Sequence, residues 1–227
     1  MAEQVVKLKK KQWYQIIAPK QFGEAVIGET LVAEPQAMLG KTLSHNLMNL
    51  TNDPKKQNIN IHFKVVEVDG SKGRTNIIGY QIVPSSVKRF VRRNSEKMDL
   101  SFASETSDNI YLRVKPLVIT KADVKGSVAA KMRNNIVQYL IKTIKKMNYN
   151  DLVNELISHK LQSDMRAALS KIYPLKVCEI RYLGIEAREQ SSAQLSVERQ
   201  KEAEIKAEAK EDFKAEVKEE VKTEEKQ

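Results

Sequence analysis

INIHFKVVEVDGSKGRTNIIGYQIV, at residues 59–83, indicates a β-rich fold because it holds two long β-rich runs joined by a turn. In the first run, apolar residues at 59, 61, 63 and 65 alternate with polar ones, as in a strand with one buried and one solvated face. The turn is Asp69-Gly70-Ser71-Lys72-Gly73, and we expect both glycines to take the positive φ that a tight reversal needs. This pattern predicts a hairpin within a barrel or a sandwich.

Further β-rich runs flank this hairpin on both sides. They read AVIGETLVA at 25–33 and NIYLRVKPLVI at 109–119, and both are rich in β-branched residues. One helix interrupts them. Pro84-Ser85-Ser86 predicts its start, with a serine as the N-cap, and we expect a helix from Ser85 to Lys97 with Val87, Phe90 and Val91 facing inward. The sequence therefore predicts a basic N-terminal arm at 1–20 and a β-barrel-like domain at 21–120.

From residue 121 the apolar period becomes helical. Val128, Met132, Ile136, Leu140 and Ile144 recur every four residues and predict a helix over Asp123–Met147. Asn150 and Ser163 have the residue types of N-caps for two further helices, before Pro174 and a return to strand character. We expect an α+β domain at 121–188. The fold class is thus α+β, a β-barrel-like domain followed by a helical domain bordered by strands.

The segment at 189–227 forms a charged C-terminal tail. Lysine recurs every fourth residue from Lys206 to Lys226 with glutamates between, so i,i+4 pairs can support transient helix. Too few apolar residues remain to build a core, and we expect a solvated tail that is disordered or partly helical.

Charge is the strongest indication of a partner. Residues 1–190 carry 31 Lys and Arg against 18 Asp and Glu, a net +13, whereas residues 191–227 carry 8 against 11, a net −3. A body this basic repels itself unless a polyanion neutralises it, and nucleic acid is the common polyanionic partner.

No pattern typical of an enzyme occurs. The three histidines are far apart in sequence, and no paired cysteines, H-E-x-x-H, P-loop or nucleophile-elbow motif is found. Cys178 lies in an apolar run that favours a packed thiol over a nucleophile. We therefore expect no catalytic residue, no metal ligand and no cofactor. No apolar run is long enough to cross a bilayer, which indicates a cytoplasmic protein without a membrane partner.

Three basic clusters are the candidate RNA-binding residues. The first lies in the arm, where lysines lead into two aromatic residues: Lys7, Lys9, Lys10, Lys11, Trp13, Tyr14 and Lys20. Lysine binds phosphate as a point charge, and an exposed aromatic ring can stack on an unpaired base. The alternative is that Trp13 and Tyr14 pack on the barrel and hold the arm down, and this alternative is slightly favoured because large aromatic side chains are mostly buried.

The second and third clusters lie on the predicted helices. The second comprises Lys88, Arg89, Arg92, Arg93 and Lys97, and the third comprises Lys131, Lys142, Lys145 and Lys146. On a helical wheel the third set spans an arc of about 100°, clear of the apolar stripe. A charged helix face is usually just solvated, but balanced surfaces mix both signs, and only one acid occurs among nine cations from Arg113 to Lys146.

Five segments, in their order along the chain, together resemble one protein family. They are KKKQWYQIIAPKQFGEAVIGETLVA at 9–33, LMNLTNDPKKQNINIHFKVVEVDG at 47–70, SVKRFVRR at 86–93, LVITKADVKGS at 117–127 and KIYPLKVCEIRYLGI at 171–185. These segments resemble the archaeal and eukaryotic small-subunit ribosomal protein family known as S-three-A-e. The similarity spans about residues 7–186, and nothing about the tail transfers.

The resemblance implies a non-enzymatic protein on the platform of the small ribosomal subunit, near the mRNA exit and the 3′ end of the rRNA. Its implied partners are small-subunit rRNA, neighbouring ribosomal proteins and mRNA near the exit. Two alternatives stay open from the residues themselves. One is a free RNA chaperone or single-strand RNA-binding protein, and the other is a protein–protein adaptor that uses the charged tail.

Overall fold

The computed structural model describes residues 10–186, and these residues lie within one compact unit. Nine strands of this part of the chain form a single sheet. They are β1 (Gln12–Ile17), β2 (Val26–Val32), β3 (Thr42–Asn46), β4 (Ile59–Asp69), β5 (Lys72–Ile82), β6 (Lys97–Asp99), β7 (Phe102–Glu105), β8 (Tyr111–Thr120) and β9 (Leu175–Ile185). The α-helices of the same range are α1 (Leu47–Thr51), α2 (Pro84–Phe90), α3 (Gly126–Ile144), α4 (Tyr149–Ile157) and α5 (Lys160–Ser170). Short 3-10 helices lie at Lys20–Phe22, Pro35–Met38 and Pro54–Lys56.

The predicted hairpin is formed by β4 and β5, which pair from Ile59 opposite Ile82 to Asp69 opposite Lys72. The predicted buried face is present, because the apolar residues at 59, 61, 63 and 65 are all at most 4% exposed. One detail was wrong. Gly70 in the turn has φ +55°, but Gly73 lies within β5 without a positive φ, and a Cβ there would lie 3.3 Å from Val65 Cγ1. Gly73 is therefore needed for close packing.

Strand β5 is the centre of the sheet. It pairs with β4 along one edge, while the other edge pairs in parallel with β1 near Lys72 and antiparallel with β9 near Gly79. The strand order is β2-β1-β5-β9-β8-β6, with β3 beside β4 and β7 beside β8. The α+β class is confirmed, and the sheet is open. Because β9 lies between β5 and β8, the sheet joins residues on both sides of the predicted 120/121 boundary, and independent folding of 21–120 and 121–188 stays a prediction.

Two segments differ from their predicted structure. Gln12–Ile17, placed in the arm, is the paired strand β1. Helix α2 ends at Phe90 rather than Lys97, with Val83 as its N-cap and no side-chain cap. Neither serine caps it, because both lie inside its first turn, and the Ser86 hydroxyl is buried and donates to Asn58 Oδ1. Val91, expected to face inward, is 38% exposed.

The apolar stripe of α3 is confirmed: Met132, Ile136, Leu140 and Ile144 are fully buried, and Val128 packs beside them. The predicted caps of the next helices were wrong. Asn150 and Ser163 lie inside α4 and α5, whose N-caps are Asn148 and His159. The first turn of α4 is capped from a distant loop, since the Tyr149 amide donates to Asp108 Oδ2 at 2.9 Å.

The main core lies between the sheet and the C-terminal helices. Helix α3 packs against α5 and β7, and α5 packs on β9. A second, smaller core of Tyr14, Ile16, Val32, Met38 and Val65 fixes β1 and β2. No helix within residues 10–186 is both long enough and apolar enough to span a bilayer.

Candidate nucleic-acid interface

The first basic cluster separates into buried and exposed parts. Lys7 and Lys9 lie outside the described residues, whereas Lys10 and Lys11 are exposed immediately before β1. Tyr14 is only 8% exposed and packs in the smaller core, as the packing interpretation holds, so its ring does not face an external base. Trp13 points to the other face of the ribbon and is 67% exposed. Tyr14 thus belongs to the core, whereas Trp13 is available for a contact at the surface.

Trp13 is part of an exposed apolar pair. It lies opposite Leu31 of β2, which is 44% exposed. Large aromatic side chains are buried on average, because removing their apolar area from water stabilises the fold, so this exposed pair is a candidate contact surface. The indole face beside two lysines suits an unpaired base.

Lys20 lies in a less favourable setting. It lines an open groove of about 400 Å³ together with Lys72 and Arg74, but the acids Glu24, Glu67 and Asp69 line the same groove. Arg74 also pairs with Asp69 at 2.8 Å. The mixed signs make this groove a weaker phosphate site than the other clusters.

The residues of the second cluster do not share one helix, because α2 ends at Phe90. Lys88 and Arg89 lie in the last turn of the helix, while Arg92 and Arg93 are exposed in the loop that follows. Lys97 begins β6, and its Nζ lies 3.0 Å from Asp99 Oδ2. Asp99 Oδ2 also pairs with Arg181 at 2.8 Å, so the charge of Lys97 is only partly compensated, and this partial pairing weakens its assignment to RNA.

Only part of the third cluster lies as predicted, because α3 ends at Ile144 rather than at Met147. Lys131 and Lys142 are exposed on α3, Lys145 is the C-cap, and Lys146 follows it. At a rise of about 1.5 Å per residue, Lys131 and Lys142 are about 16 Å apart along the helix. Lysines near a helix C-terminus also offset the macrodipole, which accounts for part of their placement. None of the four makes an ion pair within residues 10–186.

Lys55 and Lys56 are cations that the sequence analysis missed. Both lie in the 3-10 helix Pro54–Lys56, and the charge of Lys56 lowers the pKa of His159 in addition to the larger effect of burial. The turn PKK thus lies near the α4–α5 corner. The double lysine was visible in the sequence, but its proximity to a residue about 100 positions away was not.

Nothing in the described part of the chain suggests catalysis or metal binding. No three His, Cys, Asp or Glu side chains there come together. Burial raises the pKa of the Cys178 thiol to about 12, which suits a packed residue on β9. Ionisable side chains in this region serve packing and surface charge.

Comparisons with known proteins point the same way. The chain matches the Ribosomal S3Ae family over residues 2–188. It is 34% identical over 172 residues to small ribosomal subunit protein eS1 of Methanothermobacter thermautotrophicus, covering 76% of this chain and 88% of that protein. The chain is 32% identical to the eS1 protein of Methanothrix thermoacetophila, and the match covers 76% of this chain and 82% of that protein. It is 28% identical to the eS1 protein of Haloarcula marismortui, and this match covers 81% of this chain and 86% of that protein. The family match ends at the start of the predicted tail.

Proposed function

Because this chain belongs to the ribosomal S3Ae family, we propose that it braces rRNA on the platform of the small ribosomal subunit, near the mRNA exit and the 3′ end of the rRNA. Family membership makes it a structural ribosomal protein of the cytoplasm and not an enzyme. As such it associates with small-subunit rRNA and with neighbouring ribosomal proteins.

The observation that carries the RNA-binding role is that most cations of the second and third clusters are exposed and have no acidic partner among residues 10–186. These are Lys88, Arg89, Arg92, Arg93, Lys131, Lys142, Lys145 and Lys146. Such cations displace condensed counterions from phosphates, so affinity falls steeply with salt and depends little on base identity. Helix α3 holds Lys131 and Lys142 at a fixed spacing, so the shape of the RNA matters more than its sequence.

Trp13 supports a contact of a second kind. An exposed indole beside Lys10 and Lys11 stacks well on an unpaired base, and both rRNA loops and mRNA near the exit offer such bases. This contact distinguishes the N-terminal strand from the helical clusters, which contact phosphate alone.

The assignment is tested by sedimentation of a tagged chain expressed in its own organism. We expect it in the small-subunit peak at low salt, with release as the salt concentration rises. Recovery only in the ribosome-free fractions at low salt would contradict the ribosomal role, and recovery there bound to RNA would favour the free RNA-binding alternative. Cross-linking from the bound protein should map to the 3′ region of the rRNA, and cross-links confined to another region would contradict the platform location.

A further inference from the structure

Arg89 is held in place by two neutral side chains. Its Nη2 donates to Asn58 Oδ1 at 3.1 Å and to Ser86 Oγ at 2.9 Å, and Ser86 Oγ donates to Asn58 Oδ1 at 2.8 Å. Arginine has no acceptor, so the Asn58 atom that faces it is the oxygen. The three groups close a small network in which each hydrogen bond supports the next.

This network is anchored to two elements. Asn58 directly precedes β4, and its carbonyl accepts the amide of Val83, the N-cap of α2, at 2.9 Å. Ser86 is 1% exposed, so its hydroxyl is fixed within the protein. The guanidinium of Arg89 is therefore oriented by the junction of β4 and α2 although Arg89 itself is exposed.

Arg89 also has no carboxylate partner among the described residues. Arg74, Arg113, Arg133 and Arg181 each pair with a carboxylate, at 2.6 to 3.2 Å. Arg166 donates to backbone carbonyls of residues 175 and 176. Among the arginines of residues 10–186, Arg89 alone is oriented by neutral side chains. Its donors on Nε and Nη1 have no partner within the described residues.

We propose that Arg89 is a preoriented binding residue for one backbone phosphate of rRNA, with Asn58 and Ser86 as its positioning residues. This inference rests on the proposed function. A charge-assisted hydrogen bond from guanidinium to phosphate is strong, and an already fixed side chain loses little conformational entropy when it binds. The neighbouring Lys88, Arg92 and Arg93 add charge without a fixed direction.

Replacing arginine by lysine separates orientation from charge. Lysine keeps the positive charge but lacks the planar guanidinium that Asn58 and Ser86 hold. Arg89→Lys should therefore weaken binding of a small-subunit rRNA transcript about fivefold to tenfold, while the slope of affinity against salt stays unchanged because the charge remains. Arg181→Lys is the matched control, because Arg181 pairs with Asp99 at 2.8 Å and is not among the proposed RNA-binding residues, and it should bind like the wild type.

A double-mutant cycle tests the positioning role of Ser86. Ser86→Ala should weaken binding by less than Arg89→Lys, and the double variant should bind no more weakly than Arg89→Lys itself, because both changes disturb the same guanidinium. Melting temperatures show that the variants are folded. Independent effects that multiply would contradict the positioning role, since a purely structural effect of Ser86 does not depend on the residue at 89.

The remaining outcomes separate this inference from the function on which it rests. If the wild type binds rRNA and Arg89→Lys binds equally well, the phosphate site is wrong and the ribosomal role stands. If Arg89→Lys binds naked rRNA normally but enters subunits poorly, Arg89 contacts an acidic protein partner, which also overturns the proposal. If the wild type does not bind the transcript or enter subunits, the proposed function itself fails.

Discussion

Gly79 of β5 lies directly opposite Gly184 of β9, where the C-terminal strand joins the N-terminal hairpin. A Cβ on Gly79 would lie 3.0 Å from the Leu183 carbonyl oxygen and 3.6 Å from the Gly184 Cα. A side chain at residue 79 would therefore press on the Leu183 carbonyl. The absence of a side chain at this position permits β9 to enter the middle of the sheet.

Gly79→Ala should destabilise the protein by about 1–3 kcal/mol, because a backbone carbonyl cannot move aside as a flexible side chain does. Gly28→Ala in β2 is the matched control, since an added Cβ there meets nothing within 4 Å. Chemical denaturation of both variants measures the difference. Equal stability of the two would show that β9 is less closely packed on β5 than described.

Met132→Ala should lower the free energy of unfolding by about 2–5 kcal/mol, because Met132 lies on the fully buried face of α3 and its truncation leaves a cavity. Phe90→Ala should cost less, since Phe90 is only half-buried at the end of α2. The comparison is made by thermal melting. A larger loss for Phe90 would mean that α2 is more deeply packed than its exposed neighbour Val91 indicates.

Glu179 should make stability depend on pH. Burial raises its pKa to about 7, and the opposing charge of Arg166 only partly offsets this; the group also faces Tyr80 and lies 3.7 Å from the imidazole of His159. Because the folded pKa lies above the unfolded value of 4.5, the folded state binds more protons between these values, and stability falls as pH rises from about 4.5 to 7.

Glu179→Gln removes this titration. At pH 8 the variant should be more stable than the wild type by on the order of 2 kcal/mol, and the gap should close towards pH 4.5. Glu29→Gln, at an exposed position of β2, is the control and should follow the wild-type profile. The same gap at every pH would contradict the raised pKa.

Removal of residues 191–227 should leave stability nearly unchanged, because this segment has few apolar residues and lies beyond the family match. It carries a net −3, so the remaining +13 body should bind RNA at least as tightly as the full chain. Filter binding and melting of the two chains test this. Loss of subunit entry on truncation would instead favour the adaptor role of the tail.

The sequence predicted what depends on local periodicity. The alternation in β4 and the four-residue repeat of α3 reflect one buried face each, so both could be found without the structure. The caps could not. Asp108 supplies the acceptor for α4 from a distant loop, and the end of α2 at Phe90 is marked by no glycine or proline. Tertiary contacts decided these boundaries.

The candidate interface was predictable as charge but not as geometry. Arg89 and Arg92 are equivalent in the sequence, and only the fold places Asn58 against one of them. Lys97 likewise matched the pattern of a free cation until β6 brought it to Asp99. Trp13 and Tyr14 were treated together, although the pleat of β1 places adjacent side chains on opposite faces. The alternation of side chains along β1 therefore separates the exposed Trp13 from the buried Tyr14.

The most direct test of the RNA-binding account is the salt dependence of rRNA binding when the unpaired cations of α3 are neutralised. With Lys131, Lys142, Lys145 and Lys146 replaced by Gln, the slope of log affinity against log salt should fall by about 0.9 for each phosphate that the variant no longer neutralises. A control with Arg74, Arg133, Arg181 and Lys160 replaced by Gln removes the same number of charges from cations that pair with acids. We expect a reduced slope for the first variant and a nearly unchanged slope for the control. Equal slopes in the wild type and both variants would contradict it.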